Sequence, residues 1–199
     1  MIDVASYDPA TALIVVDVQN DFADPAGSLA VSGGTDVVRA ANAAVAEATA
    51  AGAAVFYTQD WHPADTPHFE KDGGTWPVHC VQNTWGAELH PGLDVRGEVV
   101  RKGEHGEDGY SGFTMKDAVT SESLPTPLAA RLRARGVERL VVLGLATDYC
   151  VRATALEGRE QGWPVTVPWE AVRAVDLQPG DGERTREELL AAGVVVLSP

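Results

Sequence analysis

The sequence predicts an α/β fold of three layers, a mostly parallel sheet covered by helices on both faces. Two observations carry this. Short apolar runs rich in β-branched residues alternate with longer amphipathic ones, and the strand segments are apolar throughout, as in sheets buried on both sides. Hydrophobic residues make up 45% of the 199-residue chain, enough for one full-sized core, and no internal repeat, charge block or low-complexity linker divides it. One domain over residues 1–199 is expected.

The elements follow in order. Ala12 to Val16 (ALIVV) reads as a buried strand. Thr35 to Ala51 reads as a helix, with Thr35 as a candidate N-cap and Gly52 as its stop. Ala53 to Thr58 (AAVFYT) is a second strand, and Glu98 to Arg101 a short third. The irregular stretch between them, rich in Gly, Pro, His and Trp, is long enough to suggest function. Pro127 to Arg135 is a helix closed by Gly136, and Leu140 to Leu145 (LVVLGL) a strand. Thr147 to Gln161 is a helix that Thr147 can cap and Gly162 closes. Val165 to Val167, Gly182 to Ala192 and Val194 to Leu197 complete the pattern as strand, helix and strand.

The net charge of −14 and the pI of about 4.6 argue against nucleic acid and anionic membrane as partners. No apolar run approaches a membrane span, and the N-terminal MIDVASYDPATALIVVDVQ lacks the basic start of a signal peptide. Two cysteines, Cys80 and Cys150, are too few for a disulfide scaffold, so a reducing cytoplasm is expected.

Cys150 lies in LGLATDYCVRAT, just past a strand and in the first turn of a helix. Unpaired N–H groups and the helix dipole favour a thiolate there and can hold an oxyanion. Taken alone, the setting slightly favours a buried inert cysteine, and Cys80 reads as packing. Asp17 ends the first strand and Lys102 follows the third, so both reach the edge where parallel strands place ligands. There Lys102 can pair with Asp17 and keep Cys150 ionised. In isolation Asp17 also fits a turn former and Lys102 a solvated surface residue.

Asp60 and His62 stand two apart at the end of the second strand, with His68 and His79 following. Three of the five histidines thus fall within 18 residues. Three imidazoles and a carboxylate suit one divalent transition metal such as Zn, Fe or Mn. His90 and His105 fall outside this pattern. Phe22 and Trp76 can sandwich a flat ring or simply pack a loop.

The chain resembles the nicotinamidase branch of the isochorismatase-like cysteine hydrolases. The segments that carry this are LIVVDVQNDF (Leu13 to Phe22), GSLAVSGG (Gly27 to Gly34), QDWH (Gln59 to His62), His68-Phe69, WPVHCV (Trp76 to Val81), RKG (Arg101 to Gly103), YSGF (Tyr110 to Phe113) and LGLATDYCVRAT (Leu143 to Thr154), all in order. The resemblance implies a six-stranded parallel sheet between helices. It implies a catalytic triad of Asp17, Lys102 and Cys150, and an oxyanion hole at the N–H groups of Ala146 and Cys150, after a cis Leu145–Ala146 bond. It implies a metal site of Asp60, His62, His68 and His79, and a substrate held by Phe22, Trp76 and Leu145. The implied activity is hydrolysis of nicotinamide, and of pyrazinamide-like amides, to acid and ammonia through a Cys150 thioester. Another small amide or carbamoyl compound is the alternative substrate. A silent metal- or ligand-binding protein, or a metallohydrolase with a passive Cys150, are the alternatives in kind. Homo-oligomers are left open. Two stretches depart from the pattern, GEHGEDG at 103–109 and PWEAVRAVDLQPGD at 168–181.

Overall fold

A computed structural model of the protein describes residues 7–198. The first part of the stretch read as lacking a signal peptide, residues 1–6, lies outside them. Nine strands and five α-helices are described. They are β1 (Thr11–Val16), α1 (Asn20–Ala23), α2 (Gly34–Ala50), β2 (Ala54–Asp60), β3 (Glu98–Lys102), β4 (Thr114–Lys116), β5 (Ser123–Pro125), α3 (Leu128–Ala134), β6 (Arg139–Leu145), α4 (Arg152–Glu160), β7 (Val165–Pro168), β8 (Val172–Arg173), α5 (Asp181–Ala191) and β9 (Val195–Leu197). No helix among the described residues is long and apolar enough to cross a membrane.

The main sheet runs β3-β2-β1-β6-β7-β9, every pair parallel. The six strands expected from sequence are all there, and the two-residue β8 pairs with the end of β6 as a seventh. The antiparallel β4–β5 hairpin is a further addition. β1 and β6 are buried along almost their whole length, which is why their sequences show no alternation. Ala40 and Ala44 of α2 lie beside Val141 and Leu143, whereas Gly158 of α4 faces Leu140 and Val165. Neighbouring strand residues point to opposite faces, so α2 and α4 cover opposite sides of the sheet and make three layers.

Helix boundaries hold to within a few residues, but the caps differ from expectation. α2 starts at Gly34 after Gly33, whose positive φ of 75° suits glycine, and the Thr35 hydroxyl donates to the Ala23 carbonyl instead of capping. The segment expected as a helix from Thr147 begins as a π-turn, Thr147–Val151, preceded by Ala146, with no side-chain cap. A wider turn at a functional position is a recurrent use of this geometry.

β2 and β6 flank β1 on its two sides, and the chain winds outward from that pair in both directions. The carboxyl ends of β1, β2, β3 and β6 therefore open on one crevice, the usual ligand position in such sheets.

Candidate active site

Asp17 follows β1 with φ of 46°, a left-handed conformation that costs an ordinary residue about 1–2 kcal/mol. Its own N–H donates to the Thr58 carbonyl at 3.3 Å, and its carbonyl takes the Gln19 N–H at 2.8 Å. This tight turn aims the carboxylate back across the strand ends, where Thr58 Oγ1 donates to Oδ1 at 2.6 Å. Lys102, the last residue of β3, donates to Asp17 Oδ2 at 2.7 Å, to the Tyr110 carbonyl at 3.1 Å and to Cys150 Sγ at 3.6 Å. Asp60 Oδ1 lies 2.9 Å from the same ammonium, off the axis of a hydrogen bond. The Cys150 sulfur and the Asp17 and Asp60 carboxylates all lie within 4.8 Å of one another. The structure thus brings Asp17, Lys102 and Cys150 together from three elements, all of them buried.

Two anions and one cation out of water set the protonation states. Burial raises Asp17, and the nearby Asp60 charge adds to that, against the pull of Lys102. Burial acts upward on Asp60 as well, but Lys102 and His62 overcome it and hold this carboxyl well below its usual range. Lys102 stays charged because Asp17 and Asp60 outweigh its desolvation. Burial pushes the Cys150 thiol up, Asp17 and Asp60 push it further, and Lys102 opposes them. These causes favour the neutral thiol over the thiolate expected from the helix-start setting: burial comes first, and one ammonium shared between two carboxylates only partly opposes it. A raised carboxylate beside a neutral thiol is instead a base waiting for a proton.

Lys102 also carries much of the local stability, because its removal leaves two carboxylates facing each other without water. Lys102→Met is expected to destabilise the protein by about 3–5 kcal/mol, read as a lower urea midpoint at unchanged slope. A midpoint within error of the wild type would mean the pair is solvated in solution.

His62, His68 and His79 each offer a ring nitrogen within 4.8 Å of the others. The His62 and His68 rings stack with centroids 4.6 Å apart, and both cross His79 nearly edge-on. His68 Nδ1 pairs with Asp108 Oδ1 at 2.8 Å and His79 Nδ1 with the Pro77 carbonyl at 2.7 Å. These partners fix each ring and leave Nε2 to face the cluster. Burial pushes His79 down to about 4, so the ring is neutral and its lone pair available. Both ring nitrogens of buried His62 lack a hydrogen-bond partner, and Asp60 Oδ2 lies 3.9 Å from its Nε2. Gly103 closes the cluster from behind: at φ of 77°, a Cβ there would stand 2.6 Å from His62 Nδ1. Three buried imidazoles, one of them with both nitrogens unpartnered, and an ionised carboxylate are the donor set of a divalent transition ion. His90 and His105 lie elsewhere, as expected.

A cavity opens above both groups. Asp60, His68, His79, Ala146 and Cys150 line it, with Phe22 and Trp76. The Leu145–Ala146 bond is cis. Leu145, the last residue of β6, has its side chain buried in the core, and the adjoining Ala146 lines the cavity. Cys80 is buried, its N–H bonded to Asp21, in keeping with packing.

Several contributors escaped the sequence reading. Tyr110 and Tyr149 stand against Trp76, whose indole N–H donates to the Tyr110 hydroxyl at 3.0 Å, and both line the cavity. Both lie inside segments already singled out, YSGF and DYC, so their position was the available signal. Asp108 sits in the atypical 103–109 segment, 40 residues from the histidine it holds, and no local pattern marks it. Gln19 accepts from the Asp60 N–H and donates to the Asp60 carbonyl, bracing that residue from both ends of one side chain.

Comparison with known proteins agrees with this architecture. The isochorismatase domain matches residues 11–196. The chain is 37% identical over 206 residues to a nicotinamidase of Escherichia coli K12, covering 94% of each. It superposes on an L. infantum structure in complex with nicotinate at TM-score 0.89 and 36% identity, covering 98% of this chain and 96% of that one. A pyrazinamidase of Pyrococcus horikoshii in complex with zinc gives TM-score 0.84 at 38% identity, over 96% and 100% of the two chains. A domain match spanning nearly the whole chain, on a parallel sheet with its crevice at the β1 and β6 ends, places this protein in the isochorismatase domain family.

Proposed function

We propose that this protein is a nicotinamidase, converting nicotinamide and water to nicotinate and ammonia, with pyrazinamide-like amides as further substrates. The observation that carries the reading is one cavity lined at once by Cys150, whose sulfur sits against the buried Lys102 ammonium and Asp17 carboxylate, and by the imidazoles of His68 and His79. Relatives named as nicotinamidases, at this identity and coverage, support it. On this reading Asp17, Lys102 and Cys150 are the catalytic triad, Ala146 and Cys150 the oxyanion site, and residues 1–199 one hydrolase domain in a reducing cytoplasm.

Asp60, His62, His68 and His79 would hold one divalent transition ion, Zn, Fe or Mn. Such an ion supplies a Lewis-acidic point for the lone pair of a ring nitrogen. The remaining steps belong to the chain's own groups. Phe22, Trp76 and the two tyrosines exclude water and hold a flat ring by its faces and edges. Asp17 accepts the Cys150 proton as sulfur attacks the carboxamide carbon. The N–H groups at Ala146 and Cys150 take the charge that builds on oxygen. When the C–N bond breaks, Asp17 returns the proton to nitrogen and ammonia leaves. Asp17 then takes a proton from water, hydroxide adds to the thioester, the C–S bond breaks, and Asp17 returns its proton to the departing sulfur, restoring the thiol, while the nicotinic acid formed loses its proton to solvent as nicotinate. Lys102 stays charged throughout and holds Asp17 in line.

The test is ammonia release from nicotinamide by purified protein, before and after chelator treatment, with elemental analysis beside it. Release by the wild type, about one transition ion per chain, and loss of that ion in His62→Ala are expected. No release, or equal metal in both proteins, would overturn the reading.

A further inference from the structure

The nucleophile turn carries a carboxylate that the proposed chemistry does not use. Asp148, two residues before Cys150, points away from the triad. Its Oδ1 accepts the Val175 N–H and its Oδ2 the Asp176 N–H, both at 2.9 Å. Hydrogen bonds to a charged acceptor are roughly twice as strong as neutral ones. The segment 174–180 between β8 and α5 has no helix or strand of its own. Asp176 extends the link, since its Oδ1 accepts the Gly182 N–H of α5 at 2.8 Å. Val175, so held, lines the cavity with Tyr149 and Cys150.

We infer that Asp148 is a positioning residue that sets the substrate cavity's width, by fixing Val175 at a set distance from the nucleophile turn. Because one side chain joins the turn bearing Cys150 to the segment bearing Val175, the two move as a unit. The wall then admits a bare six-membered ring and resists one enlarged by a substituent. The inference rests on the amidase reading for its substrate, though not for the clamp itself.

The experiment uses the full chain, Asp148→Asn and Val175→Ala. Asparagine keeps one acceptor oxygen and turns an NH2 toward the other N–H, so one bond is replaced by two opposed donors. Amide hydrogen exchange at residues 175–176 should quicken in Asp148→Asn, and this readout needs no substrate. KM for nicotinamide should rise about tenfold with kcat within about threefold, the pattern of lost binding common to ground and transition states. Discrimination between nicotinamide and a ring-methylated nicotinamide should narrow in both variants. The double variant should lose no more than the worse single one, since both act through the same wall. Unchanged exchange in Asp148→Asn, a fall in kcat at constant KM, or independent addition of the two effects would each overturn the inference. Should Asp148→Asn fail to fold, Val175→Ala decides alone by the same discrimination assay, and unaltered discrimination overturns it. A wild type inactive on nicotinamide would sink the amidase reading and leave the exchange result to judge the clamp.

Discussion

Cys150→Ala is expected to lower kcat for nicotinamide by at least about 10⁴-fold, because a covalent route loses its only attacking atom while the ring still binds. Cys150 sits in a π-turn beneath the cavity, with its sulfur 3.6 Å from the Lys102 ammonium. Alanine fits that turn, so the melting temperature and metal content should hold. Steady-state ammonia release measures the loss. Residual turnover within tenfold of the wild type would exclude the thiol as nucleophile and return attack to a water.

Asp17→Asn is the second large effect. An amide accepts no proton from the thiol and returns none to the leaving nitrogen, so kcat should fall by about 10²–10⁴-fold, the span of general acid–base assistance. The thiol itself should respond the other way. Asp17 and Asp60 both push the Cys150 pKa up, so neutralising one of them brings it down. Iodoacetamide alkylation at mildly alkaline pH should then be as fast as in the wild type or faster, while turnover collapses. The thiolate expected from the helix-start setting points the opposite way, to slower alkylation. If alkylation slows in step with kcat, Asp17 ionises the resting thiol and the site works as a preformed ion pair.

That reversal marks where sequence reasoning stops. Asp17, Asp60 and Lys102 were legible because each closes an apolar strand, and adjacent parallel strands must deliver their ends to one crevice. Cys150 stood out by its place just after β6, but that place alone slightly favoured an inert cysteine, and the family resemblance supplied its expected role. Six strands and their order of helices followed from uninterrupted apolar runs. What escaped depends on contacts with no local trace. The two-residue β8 and the short, exposed β4–β5 hairpin bury too little to pattern a sequence. The Asp148 link depends on where 175–176 comes to rest, 27 and 28 residues away. Asp108 was invisible because its partner His68 lies across an irregular loop. The balance of charge on Cys150 could not be read either, since it depends on Lys102 being shared between two carboxylates rather than paired with one.

The central claim is a thioester on Cys150, and an acid quench during turnover tests it most directly. Wild-type protein mixed with excess nicotinamide and stopped in acid would be digested and its cysteine peptides weighed. The account requires a nicotinoyl mass on the Cys150 peptide, none on the Cys80 peptide, and none anywhere in Cys150→Ala. Sustained ammonia release from both proteins with no acyl mass on Cys150 would contradict it.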